Sequence, residues 1–182
     1  LHSVDPMPLD FAGLFLQGQT YKSFLDEHAT EAQRARWDAV HAEVALTAPQ
    51  VERLRSFKRE MKVMVSAGAW CGDCINQCPV FDHFAATNDQ IDVRFFDRDQ
   101  FSDFAEAVST CGGHRVPSVL FLSEDGYVCG RYGDRTLATY RHMAATQLGP
   151  SCPTGIGAVD TDLLFAVTEE WLNEFERIQL ML

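Results

Sequence analysis

The sequence is short of basic charge, of long apolar runs and of any repeated or low-complexity segment. Its 15 lysines and arginines face 26 aspartates and glutamates, a formal charge of -11. Nucleic-acid binding needs a basic patch that displaces counterions, and an anionic membrane surface attracts the same kind of charge. Neither partner is expected, and the acidity is read as a solvated surface. No window nears the roughly 18 consecutive apolar residues of a spanning helix. The opening residues lack the basic-then-apolar order of a secretory signal, although a start at Leu1 rather than Met leaves a processed leader open. Six cysteines in 182 residues are too few and too unevenly spaced for a secreted disulfide scaffold, so the expected compartment is cytoplasmic. There is no phosphate loop, serine triad or EF-hand pattern, and no cofactor is expected.

What is present suits a folded globule: 46% apolar and 11% aromatic residues, in a length that fills one core. The N-terminal third reads as helical. Thr30 and Gln33 form a capping-box pair, and Trp37, Val40 and Val44 recur at helical spacing. Thr47 caps a further short helix with Val51, Leu54 and Phe57 on its apolar side. From Met61 the pattern becomes β-rich and ends at Ala67-Gly68-Ala69; Ile91 to Asp97 reads as a second strand. Phe101, Phe104, Ala105 and Val108 mark an amphipathic helix that Gly112-Gly113 should stop. Strands Ser118–Leu122 and Tyr127–Arg131 flank Ser123-Glu124-Asp125-Gly126, a hairpin signal. A helix follows from about Leu137 to Gln147, then an irregular stretch from Leu148 to Val159. A last helix carries Leu164, Val167, Trp171, Phe175, Ile178 and Leu182 on one stripe, expected to pack on the chain's own sheet. This order gives an α/β fold, a mixed sheet with helices on both faces. The expected division is a helical extension over 1–57, a core over 58–147, and a loop and closing helix over 148–182.

Three of the six cysteines fall within eight residues, Cys71, Cys74 and Cys78. A strand leading into Cys-x-x-Cys at the start of a helix has a chemical rationale. The first thiol sits where free amides and the helix dipole favour negative charge, so its pKa is expected to fall from about 8.5 toward neutrality. That assigns Cys71 as the attacking thiol and Cys74, a turn deeper, as the one that resolves a mixed disulfide. The same spacing is also half of a zinc site, but no second ligand pair follows at compact spacing, and redox chemistry is the favoured reading over a metal site or inert cysteines.

With these residues in view, the sequence resembles the thioredoxin superfamily. Trp70-Cys71-Gly72-Asp73-Cys74 is similar to that family's Trp-Cys-Gly-Pro-Cys active site, with Asp73 in place of proline. Pro79 matches the proline of its active-site helix, Val116-Pro117 its cis-proline dipeptide, and Gly126 and Gly133 its later glycines. The resemblance covers about residues 58–147. It implies a thioredoxin-like fold and a thiol-disulfide oxidoreductase acting on protein disulfides or small thiols, recharged by a reductase that the sequence does not identify. It also implies that Trp70, Gly72, Asp73 and Pro117 support the pair, and that the Val116 backbone and Trp70 contact an extended substrate. The Trp-Cys-Gly-Asp-Cys form most resembles bacterial thioredoxin-like proteins. The alternative class is a binding or redox-sensing module without turnover. Two departures favour that alternative: Val65 stands where the family has a buried Asp, and Phe95 where it has a Lys.

The remaining candidates are peripheral. Cys78 reads as a small buried hydrophobe, with a second resolving role as the alternative. Cys111 lies in a glycine-flanked loop that could approach the active site, Cys129 is expected in the core, and Cys152 on an exposed loop. His114 and Arg115 should line the rim beside Val116, and Asp97, Arg98 and Asp99 should cap the following helix.

Overall fold

The computed structural model describes residues 8–146 and 157–182. Four strands form one sheet: β1 (Met61–Ala67), β2 (Ile91–Asp97), β3 (Ser118–Leu122) and β4 (Val128–Gly133), in the order β2-β1-β3-β4. β1 and β2 run parallel, while β1 with β3 and β3 with β4 are antiparallel. The helices are α1 (Phe11–Phe15), α2 (Tyr21–His28), α3 (Glu31–Glu43), α4 (Ala48–Arg55), α5 (Gly72–Thr87), α6 (Ser102–Ala107), α7 (Leu137–Thr146) and α8 (Thr161–Met181).

Alternation along the strands divides the apolar residues between two faces. Val63, Val65, Phe95, Val119 and Phe121 join one large buried cluster with α2, α3, α4, α5 and α8. Met64, Phe96, Leu120 and Leu122 point the other way, onto Phe15 and Phe104 of α1 and α6. The sheet is therefore mixed and covered on both sides, as expected. The α8 stripe is buried from Leu164 through Ile178, against the chain's own core. No helix among the described residues is long and apolar enough to cross a membrane.

Local chemistry accounts for most boundaries. Thr30 with Gln33 and Thr47 with Gln50 both close full capping boxes, the second recognised in sequence only by its Thr. Gly126 takes φ 85° in the β3–β4 turn, where L side chains are strained. Two boundaries differ from expectation. α6 ends at Ala107, not at Gly112-Gly113, because Val108 turns in to its buried cluster. The chain then folds back in a tight turn, with Thr110 and Gly113 exchanging backbone hydrogen bonds around Cys111 (φ 51°) and Gly112 (φ 74°). β4 runs Val128–Gly133, offset from the Tyr127–Arg131 read in sequence, with an irregular register at Phe121/Leu122.

The N-terminal helices share the core of the rest. Phe24, Leu25, Trp37, Val40, Val44 and Leu54 belong to the same cluster as α5 and α8. Polar contacts follow the same route: Arg53 on α4 pairs with Glu176 at 2.9 Å and Glu169 at 3.3 Å on α8. Gln179 Oε1 accepts hydrogen bonds from the Lys58 and Arg59 amides at 3.0 and 2.8 Å.

Candidate functional site

β1 delivers the chain to a tight turn at Gly68, and α5 begins immediately after Cys71, its N-cap. No side chain caps that end, so Cys71 stands beside unsatisfied amides. Gly72, Asp73 and Cys74 form the first turn. Pro79 lies inside α5, where it lacks the amide that would bond the Ile75 carbonyl. The turn before the helix is held from two directions. Cys71 N donates to Gly68 O at 3.0 Å, and the Trp37 indole N–H, from α3, donates to Ala69 O at 2.8 Å.

The Cys71 thiol donates toward the Val116 carbonyl at 3.6 Å, which brings the Val116-Pro117 segment against the pair. The Val116–Pro117 peptide bond is cis, as is Gly133–Asp134. Gly133 fits closely here, since a Cβ on it would lie 2.6 Å from the Pro117 carbonyl oxygen, and its φ is 140°. Cys74 is fully buried and accepts from the Gly68 amide at 3.5 Å. Cys71 is 3% exposed. Trp70 is 46% exposed, stacked beneath the Arg98 guanidinium at 4.6 Å, and leaves no room for a Cβ on Gly68.

The electrostatics correct one expectation. Hydrogen bonding to Cys74, burial, and the Cys74 and Asp73 charges push the Cys71 thiol up, out of its ordinary range. The helix terminus does not offset these effects. Burial likewise pushes Cys74 well up.

Asp73 has a partner that sequence reading missed. Arg135, in the corner after β4, places Nε 2.9 Å from Asp73 Oδ1, both side chains being largely buried. The same corner carries Asp134, whose carbonyl accepts from Gln77 Nε2 at 3.1 Å; Gln77 Oε1 in turn accepts from the Trp171 indole at 2.9 Å. Asp134 also hydrogen-bonds the Tyr140 hydroxyl and lies 3.6 Å from Arg115. No spacing rule links residues 73 and 135, so the only sequence signal was an arginine two residues after the expected Gly133.

The other candidates fall into place around this centre. Val65 and Phe95 are both fully buried and paired across β1 and β2, so an apolar contact occupies the place of the family's Asp and Lys. Cys78 is fully buried, one turn beyond Cys74. Cys111 is exposed. Cys129 is only partly buried at the edge of the core, because β4 is an edge strand, which corrects its assignment to the interior. Cys152 lies outside the described residues. His114 pairs with Glu106. The Asp97 carboxylate accepts from the Asp99 and Gln100 amides at 3.1 and 3.0 Å, closing the turn into α6. Among the described residues no group of three or more His, Cys, Asp or Glu is placed to hold a metal ion.

Comparison with known proteins agrees with this geometry at the level of fold. No curated protein sequence matches the chain. A Pseudomonas aeruginosa protein of unknown function has a crystal structure that matches with a TM-score of 0.74 at 17% identity, covering 94% of this chain and 97% of that one. An HIV epitope scaffold matches with a TM-score of 0.72 at 18% identity, over 93% of this chain and 97% of its own. The family model described as thioredoxin matches residues 18–147. That match begins well before residue 58, where the sequence resemblance was taken to start, and so takes in α2, α3 and α4. The chain belongs to the thioredoxin family.

Proposed function

We propose that the protein is a thiol-disulfide oxidoreductase that passes electrons through the Cys71–Cys74 pair. The observation that carries this reading is the arrangement at the start of α5: Cys71 at the N-cap, its sulfur against the Val116 carbonyl, with Cys74 buried one turn behind. Deprotonated Cys71 attacks one sulfur of a substrate disulfide. The substrate S–S bond breaks, one substrate thiol leaves with a proton, and a mixed disulfide remains. Cys74, giving up its proton, then attacks Cys71, releasing the second substrate thiol and leaving the Cys71–Cys74 disulfide. Two electrons and two protons have passed to the substrate, and a dithiol or a reductase restores the pair. Trp70 and the Val116 backbone supply the contact surface, Gly72 and Pro117 shape it, and the disulfides of proteins or of small thiols are the substrate class. A reducing compartment such as the cytoplasm suits this direction of flow. The test is dithiothreitol-driven reduction of a protein disulfide. Turnover that Cys71→Ser abolishes is expected, and no turnover by the wild type would overturn the proposal.

A second reading, a redox-sensing module without turnover, is favoured by the burial of Cys71 and the upward displacement of its thiol. Cys74→Ser separates the two. An oxidoreductase accumulates mixed disulfides on Cys71 in this variant, whereas a sensor that forms only its internal bond accumulates none.

A further inference from the structure

The turn between the two cysteines contains a carboxylate, an awkward neighbour for chemistry that runs through a thiolate. Asp73 is on the first turn of α5 with its side chain 5% exposed, and it competes with Cys71 for the same positive helix terminus. Its negative charge is one of the influences holding the Cys71 thiol up. Arg135 answers that charge from a different element, 62 residues away, with Nε 2.9 Å from Oδ1 and its side chain 14% exposed. Burial works against the arginine's charge, but its hydrogen bond to Asp73 and the attraction of that carboxylate, with Asp134 and Tyr140 adding to it, make the net shift upward.

We propose that Arg135 is a positioning residue for the cysteine pair: by holding the Asp73 carboxylate in a buried ion pair, it offsets the negative charge within Cys71-Gly72-Asp73-Cys74 and sets how readily Cys71 ionises. This deepens the oxidoreductase reading and rests on it. Several titratable or charged groups surround Cys71. On α5 itself these are Cys74, Cys78 and Asp73. From the corner after β4 come Arg135 and Asp134, the latter held by Tyr140 and facing Arg115. Arg98 covers Trp70 on the other side, and the Arg135 guanidinium is 5.6 Å from the Tyr140 ring centroid. Arg135 contacts the carboxylate between the cysteines directly, through Nε.

The effect is on kinetics rather than on the midpoint potential near neutral pH. Both the disulfide and the dithiol are uncharged there, so the Asp73 charge has little purchase on their balance. The thiolate is charged, and its population below its pKa falls tenfold for each unit by which that pKa rises.

The experiment is iodoacetamide alkylation of Cys71 in the reduced full chain, followed across pH by mass spectrometry of the Cys71 peptide. Arg135→Gln removes this ion pair and is expected to slow Cys71 about tenfold at pH 8. Asp73→Asn removes the repulsion and is expected to speed it by a similar factor. The double variant returns to within about threefold of wild type, and Arg135→Lys keeps most of the wild-type rate. A purely structural Arg135 would leave the double variant as slow as Arg135→Gln, and that result, or an unchanged profile in Arg135→Gln, overturns the proposal. Should Arg135→Gln fail to fold, Asp73→Asn decides: an unchanged profile there also overturns it. Alkylation needs no turnover, so a wild type that reduces no disulfide defeats the functional reading while this measurement still returns its own answer.

Discussion

Replacing Trp37 with Phe tests whether the N-terminal helices hold the active-site turn. Trp37 is fully buried on α3, and its indole N–H meets the Ala69 carbonyl at 2.8 Å, two residues before Cys71. Phe keeps the aromatic packing against Tyr21 and Phe24 but has no donor. Leaving a buried carbonyl without its partner costs about 1–3 kcal/mol. The smaller ring opens a void of roughly 40 Å³, which at about 24 cal/mol per Å³ adds about 1 kcal/mol. The expected loss is about 2–4 kcal/mol in equilibrium urea unfolding, read as a lower midpoint at unchanged slope. Trp70→Phe is the control, since Trp70 is 46% exposed and its contact with Arg98 is on the surface; its loss should stay below about 1 kcal/mol. The turn should also loosen in Trp37→Phe, so that Cys71 alkylates faster under native conditions. A loss below about 1 kcal/mol with unaltered alkylation would refute the idea that α3 holds this turn.

Three further outcomes follow from the fold and the site. The raised Cys71 thiol implies an alkylation rate that still climbs with pH above 9, and a plateau near neutrality would contradict it. Burial lowers the His83 pKa, so its folded form favours the neutral ring while the unfolded chain takes up a proton near pH 6.5. Its contribution is therefore present above about pH 6.5 and declines as pH falls below that value; urea midpoints measured from pH 7.5 to 5 should fall less steeply in His83→Gln than in wild type. Gly112→Ala meets no atom within 4 Å and carries only the strain of φ 74°, about 1 kcal/mol, whereas Gly133→Ala also drives a Cβ into the Pro117 carbonyl. Thermal unfolding should show the second as clearly worse, and equal losses would contradict the close fit of β4 on the Pro117 loop.

Features set by neighbouring residues were legible in the sequence. Strands at Ile91–Asp97 and Ser118–Leu122, the Thr30 box and the turn at Gly126 depend on side chains a few positions apart, and all appear where expected. The α8 stripe was readable because a long helix repeats its message over several turns. α6 misled because two glycines looked like a stop, while Val108 had already turned inward. At the site, the spacing of Cys71 and Cys74 and the glycines around them could be read directly. Arg135 could not, since its partner is 62 residues away and neither residue's type requires the other. Nor could the reactivity of Cys71. The helix terminus suggested an acidic thiol; the hydrogen bond to Cys74 and the burial that only the folded chain supplies act in the opposite sense, together with the charge of Asp73 two residues along the chain.

The shared core of the N-terminal helices has a consequence for synthesis. α2, α3 and α4 leave the ribosome before β2, α5 and α8, yet their apolar faces rest on those later elements. Arg53 must wait for Glu169 and Glu176, more than a hundred residues behind it. Until α5 and then α8 are made, α3 and α4 lack the helices they pack against, and the nascent chain presents their apolar faces to whatever is nearby. For a stretch of translation the protein is its own missing partner, and that apolar surface stays open until the C-terminal helix has been made.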